Sequence, residues 1–256
     1  DSLIVGKLLG ASVLGLYQIA GRVAQFLTLQ VLGKVVPQVT FPAFAQLKGP
    51  DQLRQAYVQV MRLAFLFVLP IVSLLLAFPQ VIVHLFLGPK WISIITVLQL
   101  LTLSGGLNTM MIVANPMIEG MGRPDLSVKL RGVRLALSIL LLYPFTRAWG
   151  MVGTAMSVVL IDLLMMVIQY LCLRQLIALN ALALITTARQ GILTALPILF
   201  IGWLGFWLRL PMGPLIGLGS VATVTCLATL WIFLSPYLTQ LKSRGSWVVQ
   251  PSDQEA

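Results

Sequence analysis

Apolar residues run along this chain in blocks of twenty or more, too continuous for alternating strands and too long for the single buried face of a surface helix. Short polar or Gly/Pro-bearing breaks near 48–51, 87–90, 120–125 and 146–149 separate them. The pattern predicts helices at about 11–47, 52–86, 91–119, 125–145, 149–177, 189–208 and 214–238, with a weaker amphipathic connector at 178–188. Residues 1–9, DSLIVGKLL, are too short to span a bilayer and end at Gly10, so they are expected to finish a helix that begins upstream. The polar stretch from Thr239 to Ala256 is expected to be a disordered tail. The expected fold is therefore all-α: a polytopic transmembrane helical bundle of about seven full spans plus a partial N-terminal helix.

Polar residues inside the apolar blocks are few, and their spacing is informative. As one helix, 11–47 would be about 55 Å long against a hydrocarbon core of roughly 30 Å, so it must tilt, bend at Pro37 and Pro42, or protrude. It carries Arg22 and Lys34. A guanidinium near mid-bilayer costs at least ~3 kcal/mol and is placed there where it meets water, a counter-ion or an anionic ligand. Gln18, Arg22 and Gln25 fall at i, i+4 and i+7, one helical face, which predicts a polar interior beside them. The structural alternative is an Arg22 that snorkels or ion-pairs. Lys34 lies twelve residues on, about 18 Å along the axis, and belongs either at a cytoplasmic entrance or at the membrane interface. In the helix at 91–119, Ser104, Asn108, Asn115 and Glu119 repeat at four, seven and four, again one face. Asp162, mid-span in the fifth helix, is either a proton or sodium site or the internal partner of Arg22 or Lys34.

Composition agrees with the pattern: 59% of the 256 residues are hydrophobic and 9% charged, with a mean hydropathy of +0.97. Net charge is +10, but the 17 Lys and Arg are scattered at the ends of apolar runs and form no nucleic-acid patch. Alternate connections hold ten Lys and Arg (from Lys48 and Arg54 through the cluster Arg123, Lys129, Arg131 and Arg134 to Lys242 and Arg244) against three (Lys90, Arg147 and Arg209). The larger set is expected to be cytoplasmic, and with it the C-terminus.

Catalytic motifs are missing. The chain has no GxxxxGK(S/T) phosphate loop and no HEXXH, and its one histidine, His84, sits at a helix end where a structural role is the ordinary one. Cys172 and Cys226 lie in apolar surroundings without metal-ligand spacing, so no metal site and no cofactor are expected. Sparse cations and amides facing inward, short loops and repeated Pro and Gly within spans describe a secondary transporter for an anionic substrate better than an enzyme or a channel.

The segments DSLIVGKLLGASVLGLYQIAGR, VVPQVTFPAFAQL, LFLGPKW and EGMGRPD, in that order, resemble the C-terminal half of Wzx-type polysaccharide flippases, lipid-linked oligosaccharide translocases of the MOP superfamily, which also holds the lipid II flippase and the MATE drug exporters. The resemblance covers roughly 1–175 and implies a MATE-like fold of two pseudo-symmetric lobes. Residues 1–177 would be most of the C-terminal lobe, 178–238 two additional spans and 239–256 a cytoplasmic tail. It also implies alternating-access flipping of undecaprenyl-diphosphate-linked sugars in the inner (plasma) membrane. Partners would then be the lipid-linked oligosaccharide and the bilayer, with a polysaccharide polymerase and glycosyltransferases in the same route. Tyr17 followed by Arg22 matches a tyrosine and cavity arginine of the lipid II flippase, so the implied substrate-binding set is Arg22, Gln18, Gln25, Lys34, Tyr17, Asn108 and Asn115. Asp1 matches an acid that takes part in cation coupling in some members, and is an ion-coupling candidate beside Asp162. The helix at 125–145 lacks the Asn and Asp that complete that cation site. A multidrug exporter of the MATE type is the alternative, its cavity expected to be apolar or acidic; an inactive truncated remnant is a third reading.

Overall fold

The computed structural model describes residues 1–28, 44, 47, 49–208, 213–225, 228 and 231. Its elements are α1 (Ser2–Leu9), α2 (Ala11–Thr28), α3 (Pro50–Ala77), α4 (Pro79–Phe86), a 3-10 turn at Pro89–Ile94 leading into α5 (Ile95–Gly120), α6 (Pro124–Ile177), α7 (Ala181–Trp207) and α8 (Gly213–Thr225). Four stretches, Pro50–Ala77, Pro89–Gly120, Pro124–Ile177 and Leu182–Gly205, are long and apolar enough to cross a membrane, so the expected all-α membrane bundle is what the chain forms. Lys34, the prolines at 37 and 42, the far end of the 214–238 helix and the 239–256 tail lie outside the described residues.

Proline sets several boundaries. It opens α3, α4 and α6, where the missing N–H costs nothing. Pro79 pushes Phe78 out of the helical region (φ −125°, ψ 45°), so the helix expected at 52–86 is two, broken at that residue. Pro70 stays inside α3 without ending it, and nearby Ser73 donates to the Leu69 carbonyl at 2.7 Å. The expected connector at 178–188 is instead helical from Ala181, and the break is only the left-handed Ala178 and its neighbours (φ 48°).

The expected fourth and fifth helices are both present, as the two arms of α6, which meet at a non-helical break at Trp149 and Gly150 where the chain doubles back. Gly150 takes φ 59° and ψ −139°, a conformation that glycine reaches without a Cβ penalty. Residues eight apart on a straight helix would stand about 12 Å from each other, yet the hydroxyls of Thr146 and Thr154 are hydrogen-bonded at 2.8 Å. A Cβ at Gly153 would come within 2.0 Å of the Phe145 carbonyl oxygen. The arms, 124–148 and 151–177, therefore run antiparallel.

Packing is arranged around α5, which touches α2, α3 and α6, while α3 lies along α7. One apolar cluster joins Tyr57, Met61, Met110, Met117 and Leu173. A second joins Tyr17, Ala20, Ala24, Leu98 and Ala155, and a third sets Met111 and Ile118 against Leu130, Leu142, Ile161 and Met165 of the two α6 arms. Lipid is as apolar as these side chains, so association in the bilayer rests on close contact, which small residues permit. Gly191 and Gly202 supply it between α7 and α3: a Cβ at Gly191 would meet the Phe65 carbonyl oxygen at 2.5 Å, and one at Gly202 would meet the Ala77 Cβ at 2.4 Å. Gly191→Leu is expected to destabilise the protein by roughly 1–3 kcal/mol or more and to lower its melting temperature in detergent, whereas Gly132→Ala, with nothing within 4 Å of the new Cβ, is expected to leave it unchanged or slightly raised.

Candidate functional site

Two of the described cavities are large. The first, of about 500 Å³, lies among α3, α5, α6 and α7 and carries no charged side chain in its wall. The second, of about 820 Å³, lies among α2, α3, α4 and α8, and Arg22 and Gln25 stand in its wall beside Phe78, Val81, Ile216 and Thr223. The fold of α2 explains this placement. Tyr17, Ala20 and Ala24 form its buried face, packed on α5, and so turn positions 22 and 25 outward, where both side chains are exposed. Gln18 is half-buried and does not line the cleft. Among the described residues Arg22 makes no ion pair; the four pairs that form involve Arg54, Lys129, Arg131 and Arg134. The cleft is thus an apolar-walled chamber with a guanidinium and an amide on one side. Such a wall offers a fork of donors to a phosphate or carboxylate and a dry surface to hydrocarbon.

The polar face expected on α5 is present, and each of its four residues is engaged by a partner on α6. Ser104 donates to Asp162 Oδ2. Asn108 Oδ1 accepts from Arg134 at 3.4 Å. Asn115 Oδ1 accepts from Gln169 at 3.5 Å, and Glu119 Oε1 from Arg131 at 2.9 Å. The pairs interleave the two antiparallel arms of α6 along one stripe. Arg134 Nη2 also lies 2.7 Å from Asp162 Oδ1 in an ion pair.

Among the described residues the internal partner of Asp162 is therefore Arg134 and not Arg22, while Lys34, the other candidate, lies outside the described residues. Arg134, a loop cation by the sequence pattern, is in the structure the eleventh residue of α6, well inside the helix. The signal was available in the sequence, since Pro124 fixes where the helix begins and Arg134 then falls about 15 Å in. Asn108 and Asn115 are in the braced stripe and away from the cleft that Arg22 lines. Tyr17, also buried, donates to Asp1 Oδ2 at 2.9 Å, and Asp1 Oδ1 caps α1 through the Ser2 N–H at 2.6 Å. Tyr17 thus lies near the Asp1 and Asp162 acids, apart from the cleft. Among the described residues no group of three or more His, Cys, Asp or Glu side chains could hold a metal.

The polysaccharide biosynthesis protein family matches residues 1–96. Over 215 residues the chain is 28% identical to the lipopolysaccharide biosynthesis protein WzxC of Escherichia coli (strain K12), covering 82% of this chain and 40% of that protein. It is 25% identical over 128 residues to the teichuronic acid biosynthesis protein TuaB of Bacillus subtilis (strain 168), 50% of this chain and 26% of that one. It is 21% identical over 158 residues to the putative O-antigen transporter of Shigella flexneri, 61% of this chain and 37% of that one. The chain spans 40% or less of the length of these relatives. No solved structure matches it. The chain is a membrane protein similar to Wzx-type polysaccharide flippases, as its own segments indicate.

The two polar regions differ in access, and thiol labelling reads that difference. With Cys172 and Cys226 replaced by Ala, Arg22→Cys and Gln25→Cys are expected to react with a charged, water-soluble thiol reagent in intact membranes at least about tenfold faster than Asn115→Cys, which sits against Gln169. Equal rates would remove the distinction between chamber and brace.

Proposed function

We propose that this chain is part of a flippase that moves undecaprenyl-diphosphate-linked oligosaccharide from the cytoplasmic to the outer leaflet of the inner membrane by alternating access. The observation that carries the reading is Arg22 in the wall of the 820 Å³ cleft, with Gln25 beside it and no acidic partner among the described residues. A diphosphate carries charge that a permanently protonated guanidinium can hold with paired donors, and the apolar remainder of the wall suits the lipid. The relatives' names, which refer to a lipopolysaccharide, a teichuronic acid and an O-antigen, support the substrate class. A cationic wall disfavours cationic drugs, which weighs against the exporter alternative.

The reading assigns no covalent chemistry to these residues. Their part is to hold the head group in one arrangement of the bundle more tightly than in the other, which is all that a carrier's site needs to supply. The Lys and Arg count supports an orientation. Without Arg134, and without Arg189, which lies inside α7, the count is eight against three, which supports a cytoplasmic C-terminus and an external turn at Trp149 and Gly150.

Arg22→Ala in the intact gene product is expected to reduce surface polysaccharide by at least about tenfold at unchanged membrane levels of the protein, as for loss of a charge-assisted contact. Arg22→Lys, which keeps charge but loses the fork, is expected to fall between. Immunoblotting of membranes beside staining of extracted polysaccharide measures both, and normal export from Arg22→Ala would remove the assignment.

A further inference from the structure

Asp162 is one of the few acids in this chain placed inside a membrane-spanning helix, and its side chain is 1% exposed. In a transporter such a group invites assignment to an ion or proton. Its surroundings argue otherwise. From α6 itself Arg134 stands 2.7 Å from Oδ1, and from α5 Ser104 donates to Oδ2. Tyr17 of α2 is also within electrostatic reach and gives its hydroxyl to Asp1. Arg134 is anchored in turn by Asn108 Oδ1 at 3.4 Å and by the sulfur of Met111 at 3.4 Å.

Depth supports the pairing. Arg134 lies fifteen residues before Trp149 and Asp162 twelve after Gly150, so the two charges stand about 22 and 18 Å from the turn, at nearly one level and within a hydrocarbon core of roughly 30 Å. The turn that brings them level is fixed independently by Gly150, by Gly153 against Phe145 and by the bond between Thr146 and Thr154. Two charges that would each be costly alone cross the membrane on one hairpin as a neutral pair.

We propose that Arg134 is the permanent counter-ion of Asp162, that the pair locks the two arms of α6 to each other and to α5, and that Asp162 carries no coupling ion. The inference concerns the assembly of the lobe and stands whether or not the flippase reading does.

A double-mutant cycle tests it on the intact gene product, read as the amount of folded protein by detergent-solubilised size exclusion and as surface polysaccharide. Arg134→Gln leaves a nearly inaccessible carboxylate without its cation, and folded protein is expected to drop at least about tenfold. Asp162→Asn is expected to be milder, because the Arg134 side chain is 33% exposed and can turn to other acceptors. Arg134→Gln combined with Asp162→Asn is expected to recover to within about threefold of wild type, since removing both charges removes the penalty. Polysaccharide export should follow the amount of protein in every variant, with the same pH profile in the double variant as in wild type. A double variant no better folded than Arg134→Gln would overturn the counter-ion role. One that is present at wild-type levels but exports nothing would overturn the claim that Asp162 carries no coupling ion. Should the wild-type protein prove to export no polysaccharide, the folded-protein arm still decides.

Discussion

An ionised group inside a hydrocarbon layer has no water to answer it, and this bundle is built around how one such group is answered. Asp162 is held by a guanidinium from the other arm of its own helix and a hydroxyl from the neighbouring one. The other ion pairs among the described residues, Arg54 with Asp51, Lys129 with Asp125 and Arg131 with Glu119, have at least one well-exposed member and so gain little from pairing. Burial changes the sign of the problem: there the pair's importance is less what it contributes than what its disruption would cost. That cost fixes the register of the hairpin, because sliding one arm by a single turn would carry Arg134 about 5 Å past its acid.

The remaining polar residues of α5 follow the same logic at lower stakes. Asn108, Asn115 and Glu119 each find an α6 partner on one stripe, so the polar face of α5 is engaged by the two arms of α6. Arg22 is treated differently. Its helix buries Tyr17, Ala20 and Ala24 and presents the guanidinium to an open cleft. Two arginines in two helices thus have different surroundings, and exposure together with the acids within reach separates them where residue type does not.

Much of this was legible in the chain itself. Continuous apolar blocks gave the helical membrane fold, and the four-seven-four spacing gave the α5 face, because both depend only on periodicity. The same periodicity put Gln18, Arg22 and Gln25 on one face beside a polar interior, and of these Arg22 and Gln25 line the cleft while Gln18 does not. What periodicity could not supply was pairing across helices. It left Arg134 among loop charges, since a positive residue near a span's end and one a few turns inside look alike until the helix start is fixed by Pro124. It also made a connector of 178–188, where a mixture of polar and apolar side chains masked a helix whose stability comes from glycine-mediated contact with α3 farther along. Asn108 and Asn115 share a face by their spacing, but spacing does not say what that face meets. Their partners, 26 and 54 residues away, are a property of the fold.

The choice of arginine at the cleft has a mechanical consequence. Histidine or a carboxylate could release an anion by changing protonation, but a guanidinium stays charged at every physiological pH. An anion held there leaves only when the geometry of the cleft or its access to water changes. For the proposed function the driving step must therefore act on the arrangement of α2 relative to α3, α4 and α8, the elements that form the wall, and a rigid α5 and α6 unit gives those elements something to move against. For that function a locked hairpin and a permanently charged cleft are complementary requirements: the internal charge is fixed so that the one in the cleft can hold an anion.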